Sequence, residues 1–221
     1  NNLWIFPDAF VALSSSLKAW AKLLNPFIKV KYIPNGVDLN KFKPDGQKKS
    51  FDLEGPVVLC VGALTEEKRI NLAIETVAKM GKASLIVLGI GPLNEKLPRQ
   101  GEKALGKRFL ITHAKHENLP EYYRGADIFT VPSPGFRSFE IVLVEAMATN
   151  LPVVANNDPI RKEIVGEGGI LVNPTNISDY AKALEKAIDT KWGNKPRKQA
   201  EKFSWDVIAK KYEELFKELI K

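Results

Sequence analysis

The sequence of 221 residues contains one cysteine and two histidines, and this scarcity excludes several kinds of site. A single thiol cannot form an internal disulfide, and Cys60, within the apolar run "VVLCVG", is interpreted as a small buried side chain. Two histidines without a cysteine cluster indicate that there is no structural zinc site. We therefore expect neither a disulfide framework nor a structural metal ion.

Long apolar runs are also missing. None approaches the ~20 residues that a membrane-spanning helix needs. The first residues, "NNLWIFPDAFVALSSS", lack the basic start of a secretory leader. Together with the single cysteine, these absences predict a protein of the reducing cytoplasm.

The charge is unbalanced toward the basic side, with a formal net charge of +7. A basic chain favours anionic partners, such as phosphates, nucleic acid or an anionic membrane surface. The lysines are scattered rather than clustered, so an ordinary lysine-rich surface explains the charge equally well. Because no recognition helix or aromatic stacking platform is evident, we expect no nucleic-acid partner.

Strands and helices alternate along most of the chain. Short runs rich in Val, Ile and Leu are apolar throughout, which is typical of parallel strands covered by helices on both faces. We predict strands over 57–61, 84–88, 108–112, 127–131, 152–155 and 169–172, and helices over 70–80, 94–104, 118–125, 140–149, 158–165 and 177–189. This alternation predicts an α/β fold with a Rossmann-like, doubly wound parallel sheet.

The two ends of the chain differ from this pattern. Residues 1–45 contain one β-α-β unit followed by the start of a polar linker, and they are interpreted as the tail of a preceding N-terminal domain. Residues 46–221 then form the Rossmann domain with its C-terminal helices. The apolar stripe of the last helix is predicted to lie in the core: Val207, Ile208, Tyr212, Leu215, Phe216 and Leu219.

In an open parallel sheet, ligands bind beyond the carboxyl ends of the strands. Gly62 follows a strand and Lys68 precedes a helix, a combination that suits a diphosphate, although a solvated lysine is the alternative. The turn "LGIGP" over 88–92 lacks the third glycine of a dinucleotide fingerprint, which favours a tight turn. His113 and His116 lie at a strand end, where a ring could stack on a base.

A fourth loop leads into the helix predicted over 140–149. Ser138, Phe139 and Glu140 form the turn, so their N–H groups can point at an anion. Glu145 lies inside the helix, and its carboxylate suits a ribose diol. A half-buried glutamate bonded to a neighbouring lysine is the alternative.

Taken in order, several segments match one known pattern: "YIPNGVDLNKFKP", "VGALTEEKRINLAIE", "LIVLGIGP", "NLPEYYRGADIFTVPS", "SFEIVLVEAMATNLPVVANN" and "PIRKEIVGEGGILVNP". The chain resembles the C-terminal half of the group 1 glycosyltransferases (glycosyltransferase family 4), which have the GT-B fold of two Rossmann domains. In that family the second segment reads V-G-R-L-x-x-x-K-G, and the fifth reads S-F-G-I-V-x-x-E-A-M-A-x-G-x-P-V-V-A. The resemblance covers almost the whole chain.

The resemblance implies a site for a nucleotide-sugar donor, such as a UDP- or GDP-sugar, without a cofactor or a metal ion. It implies that Lys68 holds the donor phosphates, that Glu145 binds the ribose, and that residues near His113 flank the base. Backbone N–H groups at the start of the helix would approach the phosphates or the sugar: those of Phe139, Glu140, Ile141 and Val142.

The resemblance also implies an enzyme, a retaining hexosyl-type transferase whose acceptor is bound by an N-terminal domain. A lipid-linked acceptor would place the protein at the inner face of the membrane. Because the family's active site lies between two domains, this chain alone is expected to bind donor weakly and to transfer poorly. The alternative is a non-catalytic nucleotide-binding or scaffolding module derived from such an enzyme.

Several positions depart from the family pattern. Ala63 and Arg137 replace an arginine and a glutamate, and Arg69 and Glu140 replace glycines. A guanidinium has donors and no acceptor, so Arg137 cannot accept a sugar hydroxyl as a carboxylate does. One hypothesis is that Arg137 supplies the cation that Ala63 lacks, and a rival is that Glu140 takes over the lost carboxylate role. Arg137 and Glu140 are therefore the candidate catalytic residues.

Overall fold

The computed structural model describes residues 7–134 and 139–220. The first described unit is a strand, a helix and a second strand: β1 (Phe10–Ala12), α1 (Ser15–Leu24) and β2 (Val30–Tyr32). The two strands pair in parallel, as the predicted β-α-β unit requires. The side chain of Ser14 caps α1 by accepting a hydrogen bond from the N–H of Leu17.

Six further strands form the main sheet: β3 (Val57–Val61), β4 (Ser84–Leu88), β5 (Phe109–Thr112), β6 (Ile128–Val131), β7 (Val153–Asn156) and β8 (Gly169–Val172). All of them are parallel, in the order β5-β4-β3-β6-β7-β8. The predicted α/β fold and its strands are confirmed, with bounds that differ by at most one residue. The order reverses between β3 and β6, and a ligand crevice is expected at such a point, where the loops after both strands meet.

Helices cover both faces of this sheet: α2 (Ile70–Met80), α3 (Lys96–Leu105), α4 (Leu119–Gly125), α5 (Ile141–Ala148), α6 (Pro159–Val165) and α7 (Ile177–Asp189). Two further helices follow them, α8 (Lys195–Glu201) and α9 (Trp205–Leu219). Alternate residues of β3 point to opposite faces, so Leu59 packs in one core cluster and Val58 and Cys60 pack in the other. The predicted burial of Cys60 is confirmed, since 3% of its surface is exposed. Apolar side chains on both faces explain why the strands lack a polar alternation.

The short helix α8 is absent from the sequence predictions. Its sequence, "KPRKQAE", has no repeating apolar face, and it buries only Pro196, Gln199 and Ala200. Tertiary contacts stabilise it instead. The Arg197 guanidinium donates to the carbonyl oxygens of Phe42, at 2.8 Å, and Ala148, at 2.7 Å. This arginine fastens the polar linker to the end of α5.

The prediction that the whole apolar stripe of α9 lies in the core is wrong. Ile208 and Leu215 are buried and pack against Ile33, at the end of the first unit. The other side of the helix faces solvent, with Phe216 56% exposed and Val207 37% exposed. The helix follows the surface of a small two-stranded sheet, which covers only one row of its side chains. The proposed division of the chain near residue 45 stays a prediction.

Three residues other than glycine have a positive φ in the described ranges: Arg69, Glu140 and Asn150, at 51°, 52° and 66°. Each stands where the family pattern has a glycine. The left-handed conformation costs a residue with a Cβ roughly 1–2 kcal/mol, and asparagine tolerates it best. The backbone geometry of the pattern is therefore kept at all three positions, although the glycines are not.

Two glycines allow the loops after β3 and β4 to pack together. A Cβ at Gly89 would overlap the carbonyl oxygen of Gly62, and one at Gly91 would crowd the backbone of Leu64. The N–H of Leu64 donates to the carbonyl oxygen of Ile90 at 3.0 Å. The "LGIGP" turn is therefore a close contact between two loops, as expected of a tight turn.

We expect Gly89→Ala to destabilise the fold by about 1–3 kcal/mol, because the added methyl group has no space. Gly62→Ala is the matched control: its Cβ would lie 3.7 Å from Lys68 Cδ, an ordinary contact. Its effect should stay within about 0.5 kcal/mol. Urea unfolding of both variants checks this. Equal free energies of unfolding would contradict the assigned contact.

Candidate functional site

A cleft of about 360 Å³ opens at the carboxyl edge of the sheet. The loops after β3, β4 and β5 line it with Gly62, Ala63, Ile90, His113 and His116. Gly62 is not required for packing, so its missing side chain leaves open space in the cleft. Two of the predicted binding residues, Gly62 and His113, thus border one cavity beside the reversal of strand order.

Lys68 lies at one end of this cleft. It ends the short 3-10 turn Glu66–Lys68, and its methylene groups pass close to Gly62. The ammonium group contacts the Glu140 carboxylate, with 2.6 Å between Nζ and Oε1. The lysine is therefore not a freely solvated side chain, and its partner comes from the loop after β6.

Three groups converge on the same oxygen of Glu140. Besides Lys68, the Ser133 hydroxyl donates to Oε1 at 2.8 Å, and Arg161 Nη2 donates at 3.2 Å. Burial by itself raises the pKa of Glu140, but hydrogen bonds and charge from Lys68, with help from Ser133 and Arg161, hold that pKa below its ordinary value. Glu140 is therefore a buried, ionised carboxylate.

Arg161 is the buried cation that contacts the Glu140 carboxylate. It lies in α6 and has 0% of its surface exposed. Its Nη2 also donates to the Ser133 hydroxyl at 3.1 Å, and its Nε lies 3.6 Å from Asp158 Oδ2. Burial lowers the pKa of Arg161, whereas Asp158 and Glu140 act in the opposite direction. Two carboxylates therefore compensate the buried guanidinium.

Glu145 lies next to His116, which lines the cleft. Its side chain is buried in α5, and each carboxylate oxygen has a protein partner. His116 Nε2 lies 2.8 Å from Oε1, and the Tyr123 hydroxyl donates to Oε2 at 3.0 Å. Burial raises the pKa of Tyr123, and the charge of Glu145 adds to it, so the phenol remains a donor. The alternative of a lysine partner for Glu145 is wrong, since these partners are a histidine and a tyrosine.

His116 connects Glu145 to the polar linker. Its Nδ1 lies 2.7 Å from Nζ of Lys41. Because an ammonium group has donors only, Nδ1 accepts this hydrogen bond, and the ring proton lies on Nε2 and points at Glu145. Phe42 packs edge-on against the same ring, with 5.5 Å between ring centroids.

The remaining predicted residues have different outcomes. Arg137 and Ser138 lie outside the described residues. The Phe139 side chain is buried against Phe203, with 5.7 Å between ring centroids, so only its backbone is left for a ligand. Ile141 and Val142 begin α5 and pack against the apolar core.

Sequence reasoning missed four residues that hold the site together: Lys41, Tyr123, Ser133 and Arg161. All four lie within the segments that matched the family pattern, but the pattern does not indicate which side chains contact each other. The burial of Arg161 could not be predicted from the sequence, because a charged residue in a short helix is usually exposed. Among the residues of the described ranges, no helix is long and apolar enough to cross a membrane, and no three potential metal ligands cluster.

Comparison with known proteins identifies the family. The family model described as glycosyl transferases group 1 matches residues 55–190. This chain belongs to the group 1 glycosyltransferases. The match spans β3 to α7, the part of the chain that builds the cleft.

Curated relatives of this group 1 glycosyltransferase are distant. It is 30% identical to an uncharacterized glycosyltransferase of Methanocaldococcus jannaschii, over 94% of this chain and 59% of that protein. It is 28% identical to an exopolysaccharide phosphotransferase of Streptomyces coelicolor, over 96% of this chain and 24% of that protein. The chain thus spans a quarter to three fifths of the length of these relatives.

Solved structures show the same fold. Sucrose-phosphate synthase from Thermosynechococcus elongatus superposes with a TM-score of 0.81 at 24% identity, over 97% of this chain and 59% of the other. HepE of Anabaena, solved in complex with UDP, superposes with a TM-score of 0.81 at 22% identity, over 96% of this chain and 64% of the other. At these identities the likeness establishes the architecture.

We expect Tyr123→Phe to lower the free energy of unfolding by about 1–3 kcal/mol, because the buried Glu145 carboxylate loses one donor. The matched control is Tyr122→Phe. That ring packs against Phe51 at the edge of the same helix, and its change should stay within about 0.5 kcal/mol. Denaturant unfolding measures both. A similar loss in the two variants would contradict the assigned hydrogen bond.

The depressed pKa of Glu140 predicts an acid-dependent part of the stability. Its ionised form is favoured in the folded state, so this contribution is full above the unfolded pKa, near 4.5, and disappears as the pH falls through the lower folded value. In Glu140→Gln we expect a constant deficit in the free energy of unfolding above about pH 5.5. The deficit should shrink below pH 4.5. A deficit independent of pH down to 3 would contradict the ionised state.

Proposed function

We propose that this chain is the donor-binding domain of a retaining glycosyltransferase of family 4, which transfers a sugar from a nucleotide-sugar to an acceptor. The observation that carries the proposal is a cleft whose wall contains glycine backbone and which has a cation and a carboxylate next to its lining. Lys68 lies beside Gly62, and Glu145 contacts His116. This arrangement suits a nucleoside diphosphate.

The phosphates would lie beside Lys68 and Gly62. Lysine binds phosphate as a point charge, and the glycine lets phosphate oxygens approach the backbone. Ala63 adds no charge where the family pattern has an arginine. We therefore expect a weaker grip on the phosphates than the pattern provides, unless Arg137 contributes.

The nucleoside would lie toward Glu145. A carboxylate oxygen can accept more than one hydrogen bond, so Glu145 can accept from the ribose hydroxyls while it keeps Tyr123. His113 and His116 border the cleft on the side where the base would stack or meet the backbone. HepE of Anabaena has the same fold and was solved in complex with UDP, which supports a nucleotide as the ligand.

The acceptor would be bound by a preceding N-terminal domain, of which β1, α1 and β2 are the last unit. We propose a cytoplasmic enzyme without a cofactor, which contacts the inner face of the membrane if its acceptor is lipid-linked. A second candidate, a non-catalytic nucleotide-binding module, is favoured by one observation: Lys68 already has an anionic partner. Binding of nucleotide without consumption of any UDP- or GDP-sugar would support it.

Calorimetry with UDP and GDP tests the donor site. We expect one of the two to bind, and Lys68→Met and Glu145→Gln to weaken it about 10-fold or more, since each removes a charged hydrogen bond. Lys96→Met is the control, because Lys96 is an exposed lysine that pairs with Glu66 nearby. Equal affinities for Lys68→Met and Lys96→Met would contradict the assigned phosphate site, and no binding of either nucleotide would contradict the function.

A further inference from the structure

Glu140 places a carboxylate where the family pattern has a glycine without a side chain. The residue keeps the left-handed backbone of that glycine, a conformation that disfavours a Cβ. Its side chain is nevertheless ordered among three polar partners and is 8% exposed. The contacts of the carboxylate, and not a backbone preference, therefore hold this residue in place.

Lys68 is the partner that connects Glu140 with the cleft. Its distance to Oε1, 2.6 Å, is the shortest of the three, and its side chain is still 25% exposed. Ser133 and Arg161, by contrast, are fully buried. A ligand in the cleft can therefore reach the ammonium group, but it has to compete with a carboxylate that already neutralises it.

We propose that Glu140 is a built-in counter-ion of Lys68, which a ligand phosphate must displace, and that it sets the affinity of the site for phosphate-bearing ligands. This inference rests on the proposed function, since it concerns the same donor site. Donor binding exchanges one anionic partner of Lys68 for another. Lys68 then contributes less binding free energy than a lysine that faces only water, because the existing ion pair has to be broken first.

Arg161 and Ser133 allow this exchange. When Lys68 turns to a phosphate, a carboxylate without other partners would remain buried and uncompensated, at a large cost. Glu140 instead keeps the Ser133 hydroxyl and the Arg161 guanidinium, which come from the loop after β6 and from α6. Of these three contacts, only the one with Lys68 has to open.

The effect of the counter-ion depends on the charge of the ligand. A nucleoside has no group that competes for Lys68, so its binding should not respond to Glu140. A nucleoside diphosphate competes through charged oxygens and should respond strongly. The comparison between these two ligands therefore separates a counter-ion from a general disturbance of the cleft.

The test is calorimetry on the wild-type protein and on Glu140→Gln, with UDP, GDP, inorganic pyrophosphate, uridine and guanosine as probes. We expect Glu140→Gln to bind the phosphate-bearing probes about 10-fold more tightly, the effect of one charged hydrogen bond, and the nucleosides unchanged. The gain should be absent when Glu140→Gln is combined with Lys68→Met. Glu140→Gly, which also relieves the backbone, is the second variant and should show the same gain.

Arg69→Gly is the matched control, because Arg69 is the neighbouring left-handed residue and its replacement leaves the Lys68–Glu140 pair intact. It should bind every probe like the wild type. In one outcome the wild type binds UDP or GDP, while both Glu140 variants bind them with the same affinity as the wild type or more weakly. That result would overturn the counter-ion proposal and leave the donor-site proposal intact. UDP- and GDP-sugars, titrated in the same way, provide a further check: if the Glu140 variants change only the binding of these sugars, and weaken it, the counter-ion is overturned and Glu140 is assigned to the sugar hydroxyls.

Another outcome would support the counter-ion proposal and contradict the donor function. In that case the wild type binds neither nucleotide, but the Glu140 variants bind pyrophosphate and lose this binding when Lys68 is replaced. If no variant binds any phosphate, both are overturned.

Discussion

The ion pairs of the Glu140 carboxylate join three segments that are distant in sequence: the loop after β3, the loop after β6 and the first turns of α6. Parallel strands bring these segments to one edge of the sheet, but they do not determine how the loops pack there. A buried carboxylate has to satisfy its charge, and Lys68 and Arg161 are the cations within reach in the described part of the chain. The packing of these loops around Lys68 follows from this requirement.

The Glu145 carboxylate has a comparable but separate set of partners. Glu145 is buried in α5, and its oxygens are held by Tyr123 from α4 and His116 from the loop before it. Glu140 and Glu145 are thus two buried acids whose partners come from other elements. Together they fix α5 against the loops after β3 and β5.

The sheet could be predicted from the sequence because each strand is a short run of apolar residues between polar loops. Such a run buries both faces wherever it lies, so the prediction needs no knowledge of its neighbours. The helix α8 was missed for the opposite reason, since its stability comes from Arg197 and its contacts with distant carbonyl groups. The exposed side of α9 was mispredicted because an apolar stripe does not indicate how many of its side chains the neighbouring sheet can cover.

The candidate site was predictable as a set of positions but not as a set of contacts. The family pattern indicated Lys68 and Glu145, and the structure places both beside one cleft. Glu140 and Arg161 are 21 positions apart in the chain, and no local sequence spacing predicts their pairing. The left-handed backbone at Arg69 and Glu140 was implied by the glycines of the pattern. The side chains of Arg69 and Glu140 depart from that pattern, and their roles follow only from three-dimensional contacts.

Two distant parts of the chain meet near Val37. The chain passes from the first unit to the Rossmann body at Val37 and returns at the start of α9, and these two passages bond to each other. The N–H of Val37 donates to Phe203 at 2.8 Å, and the N–H of Trp205 donates back to Val37. The indole of Trp205 also lies on Gly36, where a Cβ would overlap it. Both chain passages therefore meet at one point, and the Arg197 guanidinium holds the linker carbonyl groups of Leu39 and Phe42, on either side of Lys41, beyond that point.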